Sequence, residues 1–197
     1  MLKRTIMNKY LVADEIIDWK NASILDLAKK LSIKSDSDEE TARKCFEWVR
    51  DQIKHSYDFE LNPVTCRASD VLKYRTGYCF AKSHLLAALL RANNIPAGLC
   101  YQRLIKDDKS GKYCLHGLTA VYLEKFRWYR VDPRGNKEGI NAQFNPPREA
   151  LAFKINSKYE SDLSEIWTEP LKIVVDILIK SKSYIDVYND LPDVEII

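Results

Sequence analysis

The sequence predicts an α+β fold, and three observations carry that expectation. The apolar residues follow a helical period up to about residue 93 and a strand-like alternation after it. One helix, Ala81 to Ala92, is apolar almost all round, a pattern that fits only the centre of a domain. The β-rich stretches that follow are joined by short turns, which pairs them as an antiparallel sheet on which that helix packs. With 197 residues, the chain suits one domain with a full hydrophobic core.

The elements follow in order. Tyr10 to Trp19 alternates poorly and reads as a strand or an extended arm. Ile24, Leu27, Ala28 and Leu31 fall at helical spacing over Ser23 to Leu31. Ser37-Asp38-Glu39-Glu40 is a capping box, in which Ser37 caps the first turn and Glu40 reaches back. It opens a helix to about Lys54, with Ala42, Cys45, Phe46, Val49 and Ile53 on its buried face. His55 to Arg67, with Asn62-Pro63, reads as a loop, and Ser69 to Tyr74 as a short helix. The helix from Cys79 stops near Asn93-Asn94, with Pro96 just beyond. Ala97 to Leu104, Tyr113 to Tyr122 and Trp128 to Val131 are strands, separated by turns at Asp107 to Gly111 and Glu124 to Phe126. Pro146-Pro147-Arg148-Glu149 reads as a helix start, and Phe153 to Ile155 as a possible return to strand. Pro170 to Lys182 is helical and apolar enough to pack on the core or on a second copy. The residues around Pro192 form a surface tail.

Bulk properties exclude several classes of function. A net charge of +3, with basic residues spread along the chain, argues against nucleic acid. No window has the length of a membrane span, and Met1 to Lys20 lacks the pattern of a signal peptide. Five cysteines, at 45, 66, 79, 100 and 114, lack disulfide-framework spacing and fit a reducing cytosol. Cys100, Cys114 and His116 lack both a paired Cys-x-x-Cys and a fourth ligand, so neither metal nor other cofactor is expected.

Three short stretches carry the chemistry: Gly77-Tyr78-Cys79 opening a helix, Leu115-His116-Gly117 opening a strand, and Tyr129-Arg130-Val131-Asp132-Pro133 closing the next. A helix N-terminus favours a thiolate, an imidazole takes its proton, and a carboxylate fixes the imidazole tautomer. Gly77 permits a tight entry into the helix, and the amide of Cys79 can donate to an oxyanion. Strand parity tests the arrangement. With a three-residue turn at Glu124 to Phe126, Leu118 faces Asp132. His116 and Asp132 then share one face as diagonal neighbours, roughly 7–8 Å apart by Cα. A two-residue turn would separate them.

The order Cys, His, acid resembles the transglutaminase-like superfamily, a papain-type branch. Residues Gly77 to Ala97 are similar to its nucleophile helix with the "G-I-P-A" exit, although Asn94 stands where glycine is usual. Leu115 to Tyr122 resembles its histidine strand, with Leu118 replacing the common Trp, and Trp128 to Pro133 its aspartate strand. The resemblance covers residues 38–155 and is closest to small bacterial members made of little more than this core. It implies one domain over 1–197, with an N-terminal arm and helix (1–37) and a C-terminal helical extension (156–197). On the resemblance, Cys79 is the nucleophile, His116 the general base and Asp132 the orienting acid. Tyr57 matches the upstream aromatic position that supplies a second oxyanion donor, and Gln102 is a lesser candidate for substrate contact. The implied activity is acyl transfer on amide bonds of a peptide or protein substrate, by hydrolysis in preference to transamidation.

Each residue also has a plainer reading. An isolated Cys79 is a buried structural thiol, an isolated His116 a core histidine, and Asp132-Pro133-Arg134-Gly135 a turn. Their coincidence in one order favours catalysis. The alternative of another class is a catalytically silent binding or scaffold module. His84 points away from Cys79 and reads as structural. Cys45 reads as core, and Arg130 and Arg134 as a solvated face and a turn residue.

Overall fold

The structure is a computed structural model and describes residues 7–106 and 111–194. The helices come first. A short 3-10 turn at Lys9–Leu11 precedes α1 (Ala22–Ser32) and α2 (Asp38–Gln52), followed by α3 (Ala68–Tyr74) and α4 (Cys79–Ala92). Two-residue strands β1 (Lys54–His55) and β2 (Thr76–Gly77) pair in parallel, setting His55 opposite Gly77. The main sheet holds β3 (Ala97–Ile105), β4 (Tyr113–Leu123), β5 (Arg127–Val131) and β6 (Ser161–Asp162), antiparallel in the order β5-β4-β3-β6. Helices α5 (Lys172–Lys180) and α6 (Tyr184–Asn189) follow.

Every residue of α4 from Cys79 to Arg91 is buried, as its all-round apolar pattern requires. Lys82, His84 and Arg91 are held by main-chain carbonyls. Lys82 donates to Arg50 O at 3.2 Å and to Ile53 O, closing the C-terminal end of α2. His84 Nδ1 lies 2.8 Å from Cys66 O, and burial pushes this imidazole down to about 4. Arg91 donates to the carbonyls of Ala97, Val12 and Thr168, tying the N-terminal arm and the segment before α5 to the central helix.

Several expectations need correction. Ser37 accepts from Glu40 N at 3.1 Å, but the Glu40 carboxylate accepts from Asp36 N, one residue beyond the box position. The full capping box belongs to α6, between Ser183 and Asp186. Residues 146–149 form a turn, because a proline disfavours helical backbone in the residue before it. Asn145 N donates there to the Tyr129 hydroxyl. Phe153 to Ile155 is irregular, and Tyr10 to Trp19 holds only the 3-10 turn. The turn expected at 107–111 lies almost wholly outside the described residues. Helix α5 buries Val174, Ile177 and Leu178 in the common core.

Candidate active site

Cys79 begins α4, and Tyr78 at its N-cap supplies no side-chain cap, so the amides of the first turn keep their donor capacity. Gly77 serves by close approach. A Cβ there would lie 3.1 Å from Ala81 Cβ and 3.2 Å from Thr65 Oγ1, and its extended backbone needs no left-handed conformation.

The turn between β4 and β5 spans three residues, and Thr119 faces Val131 in register. Leu118 therefore stands across from Asp132, and His116 and Asp132 are diagonal neighbours, as parity demands. His116 Nε2 lies 2.7 Å from Asp132 Oδ2. Asp132 thus takes the Nε2 side of the ring, and the Cys79 thiol acts on the same imidazole electrostatically. Gly117 N donates to Cys79 Sγ at 3.4 Å. The structure thus brings together the thiol, imidazole and carboxylate that the sequence singled out.

Electrostatics favour a charged ring. Burial alone pushes His116 down, but Asp132 and Cys79 outweigh it and raise the group to about 10. Burial likewise opposes the ionisation of Asp132, which is fully enclosed. The His116 charge and the amides of Arg134 and Ala152 nevertheless hold it below the ordinary carboxylate range. Phe153 stands edge-on to the imidazole at 4.9 Å and shields it from water.

A cleft of about 750 Å³ opens over Cys79 and His116, a size that suits a substrate side chain with its flanking backbone. One end is polar. Asp58 there accepts from Lys137 at 2.7 Å and from Arg134 Nη2 at 3.1 Å, and its carboxylate lies 3.5 Å from His55 Nδ1. Burial and the nearby Arg134 charge hold His55 well below its ordinary value, so the cleft pairs a neutral imidazole with a charged one.

Tyr57 lines the cleft, but its ring stacks on Tyr188 at 4.2 Å. Gln102 faces His116 in the β3–β4 register without joining the cleft lining. It is buried, and its Nε2 donates to Asp162 Oδ1 at 3.0 Å and reaches Phe153 O at 3.5 Å. Sequence reasoning missed the parts played by Gly117, Ala152, Phe153 and Asp58, while His55, read from the sequence as a loop residue able to line the cleft, does line it. Only the Arg134 amide left a readable signal, since Asp-Pro-Arg is the pattern of an Asx-turn. Arg130 pairs with Glu149 and Asp162, and Arg134 with Asp58. Among the described residues, no group of three His, Cys, Asp or Glu side chains gathers as a metal site. No helix among them is long and apolar enough to cross a membrane.

The model of the Transglutaminase-like superfamily matches residues 25–133. No curated protein is a match. Among solved structures, the chain is similar to a protein from Cytophaga hutchinsonii provisionally described as a cysteine protease. The TM-score is 0.52 at 20% identity, over 64% of this chain and 40% of that one. It is also similar to the periplasmic domain of TgpA from Pseudomonas aeruginosa, with a TM-score of 0.50 at 18% identity, over 66% of this chain and 47% of that one. At such identities these likenesses establish the α+β fold, and the chain spans less than half the length of either protein.

Proposed function

Since the chain belongs to the transglutaminase-like superfamily, we propose that it is a cysteine-dependent acyl-transfer enzyme acting on amide bonds of a peptide or protein. The observation that carries this reading is the imidazole held by Asp132 at 2.7 Å in the same open cleft as Cys79, whose Sγ accepts from Gly117 N one residue along β4.

The Cys79 thiolate attacks the amide carbonyl, and its S–C bond forms as negative charge develops on oxygen. The Cys79 amide, at the uncapped start of α4, is oriented to receive that charge. As the C–N bond breaks, the leaving nitrogen takes the proton of His116. Water then attacks the thioester, His116 takes its proton, and the C–S bond breaks to release the acid and restore the ion pair. Asp132 holds the ring in the tautomer that both steps need. Hydrolysis is preferred to amine transfer because nothing in the sequence, and no feature of the cleft among the described residues, is dedicated to an amine acceptor; faster amine incorporation than hydrolysis on one substrate would reverse that preference.

The test is site-resolved iodoacetamide alkylation against pH, in wild type and His116→Ala. Cys79 is expected to react faster than the other four cysteines, and to lose that advantage in the variant. Labelling no faster than at the other cysteines would overturn the reading. All five cysteines are free thiols, so the proposed setting is the cytosol; recovery with periplasmic contents on fractionation would refute it.

A further inference from the structure

The family match ends at residue 133, yet much of the cleft is built from later residues. The face of β4 that carries His116 carries Cys114 two residues earlier, and Cys114 pairs in register with Leu104 of β3. Both side chains line the cleft, with Leu104 almost wholly buried. Burial raises the Cys114 thiol to about 12, so this surface is uncharged at neutral pH.

The chain after α5 closes that end. Leu115 N, on the outer edge of β4, donates to Pro192 O at 2.7 Å, and Leu191 next to it lines the same cleft as Cys114. Tyr188 adds the second wall, stacked on Tyr57, with its carbonyl accepting from Lys106 Nζ at 2.6 Å. Arg103 grips Asp193 through two bonds of 2.7 Å. The segment is therefore fixed at several points and belongs to the cleft.

Resting on the proposed acyl-transfer reading, we propose that Leu104, Cys114, Tyr188 and Leu191 form a subsite for an apolar side chain of an extended polypeptide substrate, which makes the C-terminal segment specificity-determining. The spacing fits such a substrate. Like-facing side chains on a strand repeat at ~6.8 Å, so a substrate lying along β4 with its scissile amide at His116 sets its next like-facing side chain over Cys114. The opposite end of the cleft carries His55, Asp58, Arg134 and Lys137 and suits polar groups. Lys106, whose Nζ donates to Tyr188 O, and Glu160, which accepts from Ile105 N, also line the cleft beside the apolar group.

Peptidyl epoxysuccinates test this, with Leu, Phe, Asp or Lys placed on either side of the epoxide. The thiolate opens the ring at carbon, and the epoxide oxygen takes the proton of His116. Labelling of Cys79 is followed by mass spectrometry and normalised to each variant's own iodoacetamide rate. Leu or Phe on one side is expected to react about tenfold faster, or more, than Asp or Lys there. Leu191→Asp should shift that preference toward Lys, and Tyr188→Ala, a second variant confirmed folded by circular dichroism, should shrink it. Equal rates for all side chains, or a preference that survives both substitutions, would overturn the subsite while leaving the thiol chemistry standing. Slow iodoacetamide labelling of Cys79 in the wild type would instead overturn the acyl-transfer reading, and the subsite with it.

Discussion

Gly117 and Phe80 lie in direct contact, backbone to backbone. A Cβ at Gly117 would stand 2.8 Å from Phe80 Cδ1, 3.0 Å from its Cα and 3.2 Å from its N. The ring could turn aside, but the backbone atoms cannot move without displacing the first turn of α4. That approach is what lets Gly117 N reach Cys79 Sγ. Gly117→Ala should therefore cost about 1–3 kcal/mol by overpacking and slow Cys79 alkylation more than that of the other thiols. Denaturant unfolding alongside site-resolved labelling checks both; unchanged labelling would show that the contact does not govern the thiol.

Asp132→Asn preserves shape but replaces a charged acceptor of three hydrogen bonds, from His116 and the amides of Arg134 and Ala152. The imidazole then loses the partner that fixes its tautomer. Turnover of a peptide substrate should fall by several orders of magnitude, by about 10⁴ on the precedent of hydrolytic triads. Stability should fall by about 1–3 kcal/mol. A variant retaining most of its activity would remove Asp132 from the proposed mechanism.

The pH dependence of stability contains two opposed contributions. His116 rises from an ordinary value of 6.5 to about 10 on folding. Its stabilisation is complete below pH 6.5 and is lost as pH climbs through 10. Lys82 falls from 10.5 to about 7 through burial, so between those values the unfolded chain binds the proton more tightly and stability rises with pH. Each slope is at most about 1.4 kcal/mol per pH unit, and in the wild type they offset between pH 7 and 10. Lys82→Met should expose the fall due to His116, and His116→Gln the rise due to Lys82. Urea unfolding at pH 7, 8 and 9 measures both slopes; parallel curves for all three proteins would contradict this assignment.

Arg91 is a buried guanidinium that donates four hydrogen bonds, to Ala97 O at 3.0 and 2.9 Å, Val12 O at 2.7 Å and Thr168 O at 2.6 Å. An ammonium cannot reproduce this planar set. Arg91→Lys should destabilise the fold by about 2–4 kcal/mol, since carbonyls are left without donors in the interior. Hydrogen exchange should report early opening at both Val12 and Thr168. Opening at only one of them would mean that the guanidinium does not couple the two segments.

The sequence made legible what depends on short-range pattern. The apolar circumference of α4 announced its burial, and the three-residue turn at Glu124 to Phe126 set the parity that unites His116 with Asp132. Residues whose role depends on distant partners stayed hidden. Lys54-His55 becomes a strand only because Thr76-Gly77 lies beside it. Tyr57 gives no sign in its own neighbourhood of the Tyr188 ring it stacks on. Residues 146–149 carried a proline signal compatible with a helix start as well as a turn, and the Asn145 amide bonded to Tyr129 accompanies the turn.

The order of the cleft's parts along the chain bears on how the protein matures on the ribosome. Cys79, His116 and Asp132 emerge before any of the residues from 151 onward that narrow the cleft and before the segment at 184–193 that walls its apolar end. Chains emerge N-terminal end first, so the nascent polypeptide holds its three reactive groups while that side of the cleft is still unbuilt. Ala152, whose amide completes the hydrogen bonding of Asp132, arrives only with the first of these walls. The third hydrogen bond of Asp132 and the closure of the cleft are thus acquired only after the three reactive groups have been made.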